Sequence, residues 1–323
     1  MSSPLPPSTH PGLTPEAAAF YRTHSTFSDP GDLARLYAGL PSDPAQLART
    51  ARDLLIHRGE GDQFRHTHST DRLHHDADAR YVDDILRIVI ARDGSPLTRR
   101  RTAGDRFVGV CRDFALLHCS LLRHSGVPAR VRSGFADYFR TDGFHCDHVV
   151  TEYWDESRGW LLADAQLADP DVKAAGRVDF DPMDVPRDRF QVAGRAWRNI
   201  RAGDADPDTF GLYPPEDGPL NGEWFVAGNV RLDLAALNKV ETLLWDIWGT
   251  EAEADGQTMT EPLRELYDRV SLVIAPGTPD APDDVPFEAA RRIFAQEDGL
   301  RTPNAVLEMS EYNPPRHVIL RPF

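Results

Sequence analysis

Residues 109–130 read GVCRDFALLHCSLLRHSGVPAR, and they hold two of the chain's three cysteines. From 111 to about 124, Phe114, Ala115, Leu117, Leu121 and Leu122 recur at helical spacing. Gly126 and Pro128 then stop the helix. Cys119 falls on the same apolar stripe and reads as core, since free cysteine is among the most buried residue types. Cys111 stands at the helix start, directly after Gly109 and Val110. There the positive end of the helix dipole favours thiolate over thiol, and the thiolate is the nucleophilic form.

Downstream of this helix the character changes. The runs ARVRSGFADYF (129–139), HVVTEYWD (148–155) and GWLLADAQ (159–166) are rich in Val, Phe, Tyr and Trp. TDGF and DESRG turns separate them, so they read as strands. The expected fold class is α+β, with one helix packed on an antiparallel sheet and helical flanks on both sides.

The flanks follow from periodicity and punctuation. Residues 1–13 are rich in Pro and Ser and are expected to form a flexible tail. Residues 14–100 read as a helical region. Within it, Leu47, Ala51, Leu54 and Leu55 are helically spaced behind an Asp43 N-cap and Pro44. Tyr81, Ile85, Ile88 and Val89 mark a second helix, ending at Gly94. The polar run between them, HRGEGDQFRHTHSTDRLHH (57–75), is expected to be a loop. Residues 101–170 form the core segment, and 171–323 read as mainly helical and packed on that core as one domain. FQVAGRAWRNIRAG (190–203) and VRLDLAALNKVETLLWDIWG (230–249) are its best periodic stretches. The second places Leu243, Leu244, Trp245 and Trp248 on a buried helix. Residues 204–224 read as a long structured loop, and 280–284 as a solvated acidic one.

Composition narrows the class. The chain has 323 residues with 41% apolar and 27% charged, which suits a soluble globular protein. A formal charge of −15 opposes binding to nucleic acid or an anionic membrane. The N-terminus lacks the basic and apolar regions of a signal peptide. Three cysteines without a CxxC pair do not make a disulfide framework, so a cytoplasmic setting is expected. Only Lys173 and Lys239 are lysines among 36 basic residues, so the chain offers few amines of its own to acyl transfer.

A thiol nucleophile works with an imidazole, and the imidazole with an orienting carboxylate or amide. HCDHVVTEYW supplies His145 and His148, which face opposite sides of a strand. GWLLADAQ ends an apolar strand on Asp164, where a carboxylate must be paired or exposed. A hairpin across DESRG can set Asp164 beside His148. Cys146 shares a face with His148 and is read as core packing, and His145 as a substrate-side or surface residue.

These segments together resemble the core of the transglutaminase-like superfamily, a papain-like thiol fold. The shared features are GVC at the helix start, GVPAR after the helix, a histidine opening a strand, and an aspartate after a Gly-Trp strand. The resemblance covers residues 104–168 and implies catalytic roles for Cys111 as nucleophile, His148 as base and Asp164 as orienter. Gly126, Val127, Pro128, Ala129 and Arg130 match the turn, and Gly159 and Trp160 the strand. His148-Val149-Val150 stands where the family often has His-Ala-Trp, and Asp164-Ala165-Gln166 where it has Asp-Pro-Thr. No tryptophan precedes Cys111, so the indole that serves the oxyanion in animal transglutaminases has no counterpart.

The implied activity is cysteine-dependent acyl transfer, or amide or ester hydrolysis, through a thioester on Cys111, with a small-molecule or peptide acyl donor. The alternatives are a non-catalytic binding member of the same fold and an acyl-CoA-dependent amine N-acyltransferase. The spacings between Cys111, His148 and Asp164 resemble those of arylamine acetyltransferases, but Phe107-Val108-Gly109 replaces their Arg-Gly-Gly. One oxyanion donor is expected from the Cys111 backbone N–H, with Gln63 or a histidine of 57–75 as candidates for a second. The cluster His57, His66, His68, His74 and His75 has metal-like spacings but no accompanying cysteine or spaced carboxylate. Neither metal nor cofactor is expected.

Overall fold

The computed structural model describes residues 12–212, 220–252, 257–278, 284–310 and 313–323. The expected tail at 1–13, the loop at 204–224 and the acidic stretch at 280–284 therefore lie partly outside the described residues.

The N-terminal part holds α1 (Pro15–Arg22), α2 (Pro44–Leu54), β1 (Leu55–His57), α3 (Thr70–Ala77) and α4 (Val82–Arg92). The core segment holds β2 (Phe107–Gly109), α5 (Cys111–His124), β3 (Ala129–Ala136), β4 (His145–Asp155) and β5 (Gly159–Ala163). The remainder begins with α6 (Pro170–Ala175), β6 (Phe190–Val192), α7 (Ala193–Ala202) and β7 (Phe210–Gly211). It continues through α8 (Glu223–Leu237), β8 (Asp246–Ile247), α9 (Glu261–Ile274), α10 (Phe287–Gln296), β9 (Ala305–Glu308) and β10 (Arg316–Ile319).

The local signals act as their chemistry requires. Asp43 caps α2 by accepting from the Gln46 N–H at 3.0 Å, and Pro44 fills the first helical position, where no N–H is needed. The turn after α5 reverses at Gly126, whose φ of 81° suits a residue without Cβ. The Val127 N–H then closes back on the Leu122 carbonyl at 2.9 Å.

The main sheet runs β5-β4-β3-β6, with antiparallel pairing throughout. β7 adds to β4 in parallel. α5 lies along this sheet, and the Thr151 hydroxyl of β4 donates to the Ala115 carbonyl at 3.0 Å. α8 packs on β3, where Asp233 takes both Arg132 and the Ser133 N–H. One of four apolar clusters joins Leu54 and Val89, Phe114 and Val149, and Leu232 and Trp248. Core segment and flanks both contribute to that cluster. Among the described residues, no helix is long and apolar enough to cross a membrane.

Four details differ from the sequence reading. First, the 57–75 stretch is not all loop: Ser69 caps α3 by accepting from the Arg72 N–H. α3 buries only Asp76 and Ala77, so it carries no apolar stripe to read. Second, α5 is buried on every side from Cys111 to Arg123. Its polar face is matched internally, with Ser120 donating to the Ser28 carbonyl and Arg123 paired with Glu241. Third, α8 stops at Leu237, so the buried Leu243 lies on the loop before β8 and the buried Trp248 just after β8, rather than on a helix. Asn238 folds its amide back onto the Leu234 carbonyl, and Lys239 turns the chain at a φ of 65°. Fourth, residues 171–323 carry five strands as well as helices, two joining the main sheet and three forming the β10-β9-β8 sheet.

Candidate active site

The helix start at Cys111 is held from several directions. β1 and β2 pair in parallel, with His57 across from Gly109. Asp76 of α3 accepts from the Val108 N–H at 2.7 Å and is itself gripped by both terminal nitrogens of Arg92. Asp113, at the third helical position, accepts from the Val110 N–H at 2.9 Å. A Cβ on Gly109 would lie 2.8 Å from the Asp113 carboxylate, so a larger residue there would press on the cap. Arg112 then bonds the carbonyls of Ala79, Arg80 and Glu241. Both flanks therefore fix the residue next to Cys111.

His148 projects from β4 opposite Gly134. A side chain at 134 would meet the Gln191 carbonyl and the backbone of Val192, so glycine lets β6 close against β3 behind the histidine. The imidazole is framed by Phe139, Tyr138 and Phe190 at ring distances of 4.8, 5.9 and 6.2 Å. Its Nε2 donates to Asp164 Oδ2 at 2.8 Å, and Cys111 lies near enough to the ring to favour the imidazolium. Cys111, His148 and Asp164 are 6, 2 and 2% exposed, so this link is screened from bulk water.

Asp164 has left β5 and caps the short turn at 165–168. The β4–β5 register ends at Thr151 opposite Ala163, which sets the next residue, Asp164, diagonal to His148 on one face. Oδ1 accepts from the Gln166 N–H at 3.0 Å, and Oδ2 also accepts from the Tyr138 hydroxyl at 2.8 Å. Burial alone would raise this carboxyl, but the His148 charge and the hydrogen bonds from His148, Tyr138 and Gln166 hold it below the usual carboxylate range. Burial likewise pushes the His148 imidazolium down, yet the Asp164 charge, its hydrogen bond and the Cys111 thiol raise it to about 10. At neutral pH the ring is therefore held as a cation against the sulfur.

The other residues singled out above separate clearly. Cys119 lies inside the core, where burial pushes its thiol up to about 12. Cys146 is half-buried and raised to about 11, chiefly by burial. His145 stacks flat on Phe210 at 4.3 Å and does not reach Cys111. Gln63 is exposed and its amide leans toward the Asp171 carbonyl, so it is not at the thiol. His66 and His68 pack edge to face at 5.2 Å, while His74 and His75 lie in α3. Among the described residues, no group of three or more His, Cys, Asp or Glu side chains is arranged to hold a metal ion.

Two residues at the site had no distinct signal in the sequence. Tyr138 read only as a strand aromatic, yet its hydroxyl fixes Asp164. Asp147 is next to His148 in β4, and burial pushes its carboxyl up to about 6, with Asn229 of α8 and the His148 charge opposing. The contact with α8 joins positions far apart in the chain.

Residues 90–165 match the model of the transglutaminase-like superfamily. No curated protein matches the chain. A solved structure from Cytophaga hutchinsonii, described provisionally as a cysteine protease, is similar at 16% identity and a TM-score of 0.33. The likeness covers 55% of this chain and 46% of that one, so the chain spans about half the length of that neighbour. The superfamily match falls on the segment that carries the Cys111 helix and the strands of His148 and Asp164.

Proposed function

We propose that the protein catalyses acyl transfer, or amide or ester hydrolysis, through a thioester on Cys111. The observation that carries this reading is the buried His148–Asp164 pair, 2.8 Å apart, with the buried Cys111 close enough to favour the imidazolium. Cys111 is the nucleophile, His148 the acid and base, and Asp164 the group that fixes the ring and stabilises its cation.

The Cys111 sulfur attacks the carbonyl carbon of an ester, thioester or amide, and the carbonyl π electrons move onto oxygen. The tetrahedral oxyanion accepts from the Cys111 backbone N–H, a first-turn donor that has no acceptor within its own helix. Collapse re-forms the carbonyl and breaks the bond to the leaving group, which takes its proton from His148. The thioester remains on Cys111. Water or an amine then attacks, losing a proton to the neutral imidazole. The second collapse expels the sulfur as thiolate and restores the thiolate–imidazolium pair.

The test is to incubate the folded protein with a panel of p-nitrophenyl esters, acyl-CoA thioesters and peptide amides. Intact mass followed by peptide mapping then locates any adduct. An acyl adduct on Cys111 that is lost in Cys111→Ala supports the reading. A folded protein that forms no adduct on Cys111 with any donor overturns it and leaves a binding role. Acylation confined to acyl-CoA thioesters, followed by transfer to amines, would instead select the N-acyltransferase reading.

A further inference from the structure

Stabilising a tetrahedral oxyanion takes more than one donor, and the Cys111 backbone N–H is one. We propose that His57 is the second, a catalytic residue donating from Nε2–H to the oxyanion. This rests on the reading that Cys111 is acylated.

Three observations carry it. The first is position. Register places His57 across from Gly109, and the Arg58 N–H donates to the Gly109 carbonyl at 2.9 Å. The backbone of 57–58 is thus bonded to the strand that enters the nucleophile's helix two residues later. The turn that follows is tied to the other end of the site. Glu60 Oε2 accepts from the His57 N–H, Glu60 Oε1 accepts from the Gln166 side chain at 3.0 Å, and the Gln166 N–H donates to Asp164. His57 therefore sits between the Cys111 side and the Asp164 side of the same centre.

The second observation is the tautomer. The Gly59 N–H donates to His57 Nδ1 at 3.1 Å. A ring nitrogen that accepts carries no proton, so the neutral ring holds its proton on Nε2. No side chain or backbone group among the described residues accepts from that nitrogen, which leaves the donor available to a ligand.

The third is charge. Burial, then Arg58, His148 and Arg52, push the His57 imidazolium down to about 3, against the opposing pull of Asp164. His148 lies against a carboxylate and is held as a cation, while His57 lies among cations and is held neutral. Two imidazoles in opposite environments divide the work: one moves protons, the other donates a fixed hydrogen bond. His57 neither gains nor loses a proton in the cycle. It would also give the polar run at 57–75, which the catalytic triad leaves unused, its part in the chemistry.

The test compares two reactions of the same sulfur. Acylation by a p-nitrophenyl ester passes through an oxyanion. Alkylation by iodoacetamide displaces iodide at a saturated carbon and forms none. His57→Ala is expected to slow acylation about 100-fold while alkylation of Cys111 stays within about twofold of the wild type. His57→Gln, which keeps an N–H donor of similar reach, is expected to recover at least about tenfold of that loss. Acylation by His57→Ala within about threefold of the wild type overturns the proposal, as does a parallel fall in both reactions for both variants. A wild type that alkylates at Cys111 but is never acylated overturns the acyl-enzyme reading itself, and the role of His57 with it.

Discussion

The Tyr138 hydroxyl and the His148 ring donate to one oxygen of Asp164, each at 2.8 Å. The carboxylate is thereby pinned from two directions. It orients His148 without being free to rotate toward solvent.

Tyr138→Phe removes one of these bonds and leaves the aromatic packing. The expected cost in stability is about 1 kcal/mol, measured by denaturant unfolding. The effect on the acid limb of the rate profile is more telling. The tyrosine hydrogen bond helps hold the Asp164 carboxyl below the usual range, so losing it lets the carboxyl protonate at higher pH. The acid limb of kcat/KM should move upward in pH. A limb that stays in place would show that Tyr138 has only a packing role.

Asp164→Asn tests the other end of the pair. Asp164 supplies the main raising influences on His148, opposing burial, and keeps it at about 10. In the variant the imidazolium should be lost at lower pH, so the alkaline limb of acylation falls toward the ordinary histidine range near 6.5. The rate at neutral pH should drop at least about 100-fold. Stability follows the same sign. A group raised on folding contributes fully below its unfolded pKa, and that contribution is lost as pH climbs from there through the folded value. Thermal melts of the wild type should weaken between about pH 6.5 and 10, and those of Asp164→Asn should weaken less.

The three cysteines should react unequally. Burial pushes Cys119 up to about 12 and Cys146 to about 11, so both stay protonated at neutral pH. Iodoacetamide at pH 7 should modify the native protein once, at Cys111, and the denatured protein at all three cysteines. In His148→Ala the native modification should slow by at least about tenfold, because the sulfur loses the imidazolium beside it. Intact mass against time checks both statements.

Gly134→Ala tests the packing behind the histidine. The added methyl would press on the Gln191 carbonyl and the Val192 backbone, which are parts of the sheet rather than flexible side-chain ends. The expected cost is about 1–3 kcal/mol, with activity falling further than stability because β4 carries His148 directly opposite. Unchanged unfolding and unchanged rate would mean that β6 shifts without strain.

Much of the architecture was legible along the chain. Asp43 and Pro44 start a helix, Gly126 ends one, and alternating Val, Thr and Tyr make β4; each acts on residues a few positions away. Cys111 could be separated from Cys119 for the same reason, since one begins the helix and the other lies within it. Periodicity failed where burial did not come from the segment's own face. Residues 241–248 have a helical pattern, yet they fill the interior from a loop and the short β8 beyond the Lys239 turn. α3 has no such pattern, yet it forms because its cap and its Asp76 anchor satisfy it. Two of the contacts around the site were decided only in three dimensions. Tyr138 reaches Asp164 across the sheet, and His57 reaches the entry to Cys111 through a parallel strand pair more than fifty residues apart in the chain. Local chemistry is set by neighbours in sequence, whereas the partners around a buried site depend on which distant backbones pair.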